Sequence, residues 1–289
     1  MTRGLATCLG VWATAAMLCG CAPTAEPKAA TNAPTFVSLN PCLDAILVEV
    51  AAPQQILALS HYSRDPNASS ITSKVARRYN YTGGTAEEVL ALNPDIVLAS
   101  TYMDPATRSA LERSGLRVET FGSPTSVEAS FEQVQSLASF TGAPARAKPL
   151  LRDLKVKRWP PVAPELVHGP KWPPRSDPSV LLWQAGEIVQ GEQTLIAQLL
   201  AESGFVSHAQ KRGLGQADRV ALEEVLADPP DLLLVAGESA GQQHKALQKL
   251  ESVRIASFDP RLFYCGGPSI PSARDELAKL RMSFVDSGE

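Results

Sequence analysis

The chain has 289 residues, 44% hydrophobic and 20% charged, with 27 Lys and Arg against 30 Asp and Glu for a formal charge of −3. Mild acidity without a basic block argues against nucleic acid as a partner. The apolar content is ordinary for a globular protein, and the length suits one large domain or two lobes of about 120 residues each.

The N-terminus bears on the compartment. Arg3 is the only charge in the first 25 residues, and a mainly apolar stretch runs from Leu5 to Leu18. A basic start, a short apolar core and small residues before a cut site make a secretory signal. The run is shorter than the roughly 20 residues needed to span a bilayer. Its ending, Leu18-Cys19-Gly20-Cys21, resembles a bacterial lipobox, in which the cysteine is diacylated and the chain is cut just before it. Residues 1–20 are therefore expected to be a lipoprotein signal peptide and Cys21 the lipidated mature N-terminus. The alternative is an ordinary signal cut a few residues later. Residues 21–35, rich in Ala, Thr and Pro, read as a tether. The expected location is periplasmic and membrane-anchored. Cys8 and Cys19 leave with the signal and Cys21 carries lipid, so Cys42 and Cys265 remain. In an oxidising compartment two leftover cysteines invite a disulfide, the alternative being one separate thiol per lobe.

The body opens with a short strand at 36–40. Pro41 begins a helix through Leu43, Ile46, Leu47 and Val50, an amphipathic spacing. A second strand covers 56–60, and 61–84 is polar and irregular, closing on Gly83-Gly84. Thr85 with Glu88 forms a capping box for a helix that ends at Asn93-Pro94. Strand 95–100, helix 105–114 and strand 117–121 follow. Residues 126–157 read as one long helix with a possible break at Gly142-Ala143-Pro144. The stretch 159–178 holds seven prolines and reads as a surface loop. Strand 179–184 restarts the alternation. Helices at 194–203, 220–227, 242–250 and 270–284 and strands at 231–235 and 254–258 complete it. Alternating strands and helices argue α/β with mostly parallel sheets.

An internal repeat argues for two lobes. Residues 87–100 and 223–236 agree at eight of fourteen positions, including Glu-Glu-Val-Leu-Ala and Pro-Asp. The shared unit is a helix, a proline turn and a buried strand. The expected organisation is an N-terminal lobe at 36–125, an interlobe helix at 126–157, a proline-rich loop at 158–178 and a C-terminal lobe at 179–289. Two such lobes leave a cleft, lined by the loops after the strand C-termini. Those loops supply Asn40, His61, Tyr62, Arg64, Gly84 and Tyr102 from the first lobe. Trp183, Arg261 and Tyr264 come from the second. Aromatic faces with a polar handle, arginine and exposed glycine backbone suit a large planar or chelated ligand.

Two motif groups carry a family resemblance: Val-Ser-Leu-Asn-x-Cys-x-Asp-x-Ile-Leu, and Gly-Gly-x-x-x-Glu-x-Val-Leu-Ala-Leu-x-Pro-Asp-Ile-Val-Leu-Ala. With the mid-chain helix and Tyr-Cys-Gly-Gly-Pro, they resemble the helical-backbone (class III) periplasmic binding proteins for ferric siderophores, haem and cobalamin. The likeness covers nearly all of 36–285. It implies two lobes joined by one long helix and a substrate-binding role in an ABC importer. It implies an iron chelate or cobalamin as ligand, a permease dimer with its ATPase as partner, and a monomer with no cofactor of its own. In that family one exposed glutamate per lobe docks on permease arginines, and by position these are Glu87 and Glu223. The proline-rich stretch departs from the common pattern.

Two rival classes were weighed. Gly237-Glu-Ser-Ala-Gly241 matches the nucleophile elbow of α/β-hydrolases, with Ser239 as nucleophile. The chemistry also needs an acid and then a histidine further along. The last histidine is His244, inside the elbow's own predicted helix, so no base is available. A bare metal site needs convergent His, Asp and Glu ligands. Only His61 lies in a predicted cleft loop; His168 and His208 do not. No metal site is expected.

Overall fold

The computed structural model describes residues 33–157, 177–238 and 240–286. The expected signal segment, Cys21, most of the expected tether, nearly all of the proline-rich stretch and Ser239 lie outside the described residues.

In the first half the elements run β1 (Phe36–Ser38), α1 (Pro41–Val50), β2 (Ile56–Ser60), α2 (Ser73–Ala76), β3 (Tyr81–Thr82), α3 (Ala86–Leu92), β4 (Ile96–Ser100), α4 (Pro105–Arg113) and β5 (Arg117–Phe121). Local chemistry sets the ends. Asn40 caps α1, accepting the N–H groups of Cys42 and Leu43, and Pro41 occupies the first turn. Thr85 Oγ1 caps α3 by accepting the Glu88 N–H. The Glu88 carboxylate reaches back past Thr85 to the Gly83 N–H and the Thr82 hydroxyl. Asn93 stops α3 in the left-handed region, and Pro94 follows it. The segment 61–84, read from sequence as irregular, holds a 3₁₀ turn, α2 and β3.

The connecting element is interrupted. α5 (Val127–Phe140) ends at Thr141, a 3₁₀ turn spans Pro144–Ala147, and α6 (Lys148–Lys155) follows. The break falls on the Gly142-Ala143-Pro144 stretch, where glycine has a positive φ of 73° and proline supplies no N–H.

The second half holds β6 (Ser179–Gln184), β7 (Ile188–Gln190), α7 (Leu195–Glu202), β8 (Val206–Ser207), α8 (His208–Lys211), β9 (Gln216–Arg219), α9 (Leu222–Ala227), β10 (Leu232–Ala236), β11 (Arg254–Ser257) and α10 (Ser269–Asp286). The helix expected at 242–250 is absent there; turns and a 3₁₀ segment at Leu247–Lys249 replace it. The sequence reading did not anticipate β7, β8, β9 or α8.

The described strands form two sheets, ordered β3-β2-β1-β4-β5 and β11-β10-β6-β7-β9, with β8 also on β6. The first is parallel throughout. In the second, only β7 runs antiparallel to its neighbours. The duplication is visible atom by atom. Phe36 faces Ile96 in the first sheet as Val180 faces Leu232 in the second. The N–H and hydroxyl of Thr35 both donate to Asp95 Oδ2 at 2.7 Å. Those of Ser179 donate to Asp231 Oδ2 at the same 2.7 Å, which holds the Asp231 carboxyl below its ordinary range.

Strand residues alternate between two apolar faces, as both-sided burial of a parallel sheet requires. Phe36, Ile96, Val180, Leu182, Leu232 and Leu234 join α1, α5, α6, α7 and α10 in one core running between the sheets. Val37 and Val97 pack outward on α3 and α4, and Leu181, Trp183 and Leu233 outward on α9. The buried Arg274 guanidinium ties α10 to α7 and to α6. It pairs with Glu202 at 2.7 Å and donates to the Leu154 carbonyl at 2.6 Å, so the buried charge is both paired and hydrogen-bonded.

Candidate ligand site

The C-terminal ends of β1, β2, β3 and β4 open onto a cavity of about 410 Å³. The strand order reverses at β1, the usual place for a ligand in an open parallel sheet. Leu39 forms part of the wall beyond β1. Ser60, His61 and Tyr62 follow β2, Gly83 and Gly84 follow β3, and Ser100, Tyr102, Met103 and Asp104 follow β4. The rings of His61 and Tyr62 stand 4.0 Å apart. Tyr62 is 52% exposed and Tyr102 87% exposed. An aromatic ring left this open contributes nothing to the core and offers a flat apolar face with a hydroxyl handle.

Of the residues chosen from sequence, His61, Tyr62, Gly84 and Tyr102 come together on this cavity. The other five serve elsewhere. Asn40 spends its side-chain oxygen on capping α1. Arg64 lies over the Tyr81 ring at 3.9 Å. Arg261 is engaged by Asp259, which accepts from its Nε at 2.9 Å; the pairing lowers the Asp259 carboxyl and raises the Arg261 guanidinium. Trp183 is fully buried, with its indole N–H donating to the Val220 carbonyl at 2.9 Å. Alternation along β6 sends residues 181 and 183 to the outer face, where they pack on α9. Tyr264 is 52% exposed and stands next to the one covalent crosslink among the described residues.

That crosslink joins Cys42 in α1 to Cys265, 223 residues later, with Cα atoms 5.1 Å apart. The neighbouring glycines let the second half press this close. A Cβ on Gly266 would meet Ser130 Oγ at 2.4 Å, and one on Gly267 would meet Ile46 at 2.7 Å. The Gly267 N–H donates to Ser130 Oγ at 2.7 Å, so α5 holds the same segment.

Sequence reasoning gave Asp44 no role. Its carboxyl is fully buried in the first turn of α1. Oδ2 accepts the Ser60 N–H at 2.9 Å and the Ser63 hydroxyl at 2.6 Å. Burial raises its pKa to about 8, against smaller lowering effects from Ser38, Ser63 and Ser60. The available signal was a lone aspartate in the apolar run Leu43-Asp-Ala-Ile-Leu47, which reads as a helix face rather than as a site. No group of three or more His, Cys, Asp or Glu side chains placed to hold a metal occurs among the described residues.

Residues 36–257 match the family model described as periplasmic binding protein. The chain belongs to the periplasmic binding protein family. It is a binding protein and not an enzyme. Ser239 of the rival hydrolase motif lies outside the described residues, and His244 Nδ1 accepts the Ala246 N–H at 3.2 Å. No curated protein matches this binding protein in sequence. Solved structures match it in fold. A periplasmic heme binding protein from Pseudomonas aeruginosa is 22% identical, covers 89% of this chain and 94% of its own, and has a TM-score of 0.64. The periplasmic heme binding protein HutB of Vibrio cholerae is 18% identical, with 85% and 98% coverage and a TM-score of 0.66. The periplasmic vitamin B12 binding protein BtuF of Vibrio cholerae is 15% identical, with 88% and 98% coverage and a TM-score of 0.63.

The Asp44 carboxyl gives this binding protein a pH signature of unusual sign. Its folded pKa lies above the unfolded value, so ionisation favours the unfolded chain. Its contribution to stability is full below about pH 4 and is lost as the pH rises to about 8. The stability of the wild type relative to Asp44→Asn should therefore fall between pH 5 and pH 8, by on the order of 1 kcal/mol per pH unit. Denaturant melts of both proteins across that range check it; a difference independent of pH would contradict it.

Proposed function

We propose that this chain is the exported substrate-binding subunit of an ABC importer, anchored by lipid on Cys21, which captures a metal chelate with a broad flat face. The candidate cargoes are haem, a ferric siderophore and cobalamin. One observation carries the reading: Tyr62, Tyr102 and the His61 ring beside Tyr62 are exposed together around one cavity at a strand switch point. A small polar solute would need convergent charges, whereas a chelate is gripped by aromatic faces and oriented by few polar groups. The fold shared with heme- and vitamin B12-binding proteins supports the same class.

The lobes at 36–125 and 179–289 would form the two walls, linked through 126–157. Delivery would use Glu87 and Glu223. In each repeat the second glutamate is occupied at home. Glu88 holds the Gly83 N–H at 2.6 Å, and Glu224 holds the Ala221 N–H and the Arg212 guanidinium. The first glutamate of each pair is exposed at a helix N-terminus, placed to meet cations of a partner. The expected state is a monomer docking on a permease dimer driven by a separate ATPase.

Titration of the mature chain with haemin, cyanocobalamin and ferrioxamine B should give saturable tight binding of one of them; no binding to any chelate of the three classes would overturn the reading. Changing both Glu87 and Glu223 to Ala should abolish uptake in cells while leaving affinity within about twofold. An equal loss of affinity and uptake would remove the docking assignment.

A further inference from the structure

Asp44 is unexplained by packing. Leu43, Ala45, Ile46 and Leu47 on either side of it are buried apolar residues, and an apolar side chain is the ordinary occupant of such a position. A buried carboxyl is costly unless hydrogen bonds offset its desolvation. Neither of the two donors it meets through Oδ2 belongs to its own helix. They are Ser60 and Ser63, the two ends of the turn after β2. Between them sit His61 and Tyr62, which face the cavity. The arrangement continues on both sides. Ser60 Oγ accepts the Tyr62 N–H at 3.3 Å. Ser63 Oγ lies 3.4 Å from Ser69 Oγ, which accepts the Ile71 N–H at 3.2 Å.

We infer that Asp44 is a positioning residue for the ligand-facing turn, its carboxyl fixing where the His61 and Tyr62 rings stand over the cavity. This deepens the proposed chelate-binding role and rests on it for its functional consequence. The structural consequence is independent of any ligand. A single oxygen atom pins both ends of a four-residue turn, so the two ring-bearing residues between them have little freedom to swing. Pre-ordering of this kind lowers the entropy lost when a ligand binds. The geometry needs an acceptor oxygen and not a negative charge, so asparagine, of nearly the same shape, supplies what is required. Alanine does not.

The test compares wild type, Asp44→Ala, Asp44→Asn and Ser63→Ala in the mature chain. Amide hydrogen exchange is followed at residues 60–64 without ligand. Affinity is measured for haemin, cyanocobalamin and ferrioxamine B. Asp44→Ala and Ser63→Ala should speed exchange at the turn about tenfold and weaken binding of the recognised chelate about tenfold. Asp44→Asn should restore both to within about threefold. Ser63→Ala removes one donor without emptying the core, so it decides the matter if Asp44→Ala fails to fold. Unchanged exchange at 60–64 in Ser63→Ala would overturn the inference, as would an Asp44→Asn protein that folds but exchanges as fast as Ser63→Ala. If the exchange pattern appears as expected while wild type binds none of the three chelates, the positioning role stands and the cargo reading falls.

Discussion

The first turn of α1 is the constraint on which the cleft depends. Asn40 sets its start by capping two N–H groups. Two residues later Cys42 is bonded to Cys265, and two after that Asp44 accepts from Ser60 and Ser63. Five residues thus hold both the turn that carries His61 and Tyr62 and the segment that carries Cys265. The disulfide closes a loop of more than two hundred residues, which by loop-closure entropy stabilises the folded chain by on the order of 5 kcal/mol. Its second consequence is geometric. With Gly266 and Gly267 packed on Ser130 and Ile46, the second half is anchored to α1 and α5, and separating them there would have to break a covalent bond.

The duplication explains why the observed cavity sits in one half. The two copies share pairing register and a hydroxyl–aspartate clasp, so equivalent positions are easily matched. Leu39 of the first copy lines the cavity. Its counterpart by register is Trp183, whose ring packs against Gly241 at a would-be Cβ distance of 3.3 Å and bonds Val220. In the second copy the turn after β10 folds over the strand ends, with Gln242 Nε2 donating to the carbonyls of Trp183 and Ala236. A large side chain and a returning turn fill what a leucine leaves open.

Much of the fold was legible because parallel strands buried on both faces leave continuous apolar runs, and because the repeated helix–proline–strand unit appears twice. What escaped notice lacks that signal. β9, Gln216–Arg219, is exposed along its whole length, so no alternation marks it. The helix expected at 242–250 had apolar residues at Leu247 and Leu250, but the chain forms only turns and a short 3₁₀ segment there. In the site, His61, Tyr62, Gly84 and Tyr102 could be found by asking which residues follow strand C-termini. Trp183 lies inside β6 rather than after it, and its ring is buried against Gly241. Arg261 is claimed by an aspartate two residues away, a local pairing that composition does not reveal. Asp44 was missed because its role depends on a turn sixteen residues later.

The claim that the first turn of α1 holds the proposed chelate site in shape meets its most direct test in the disulfide itself. The measurement is the affinity of the chain for the proposed chelate before and after selective reduction of Cys42–Cys265, with circular dichroism to monitor the fold. The account predicts binding weakened about tenfold on reduction and recovered on reoxidation, with secondary structure unchanged. Equal affinity in the two states would contradict it.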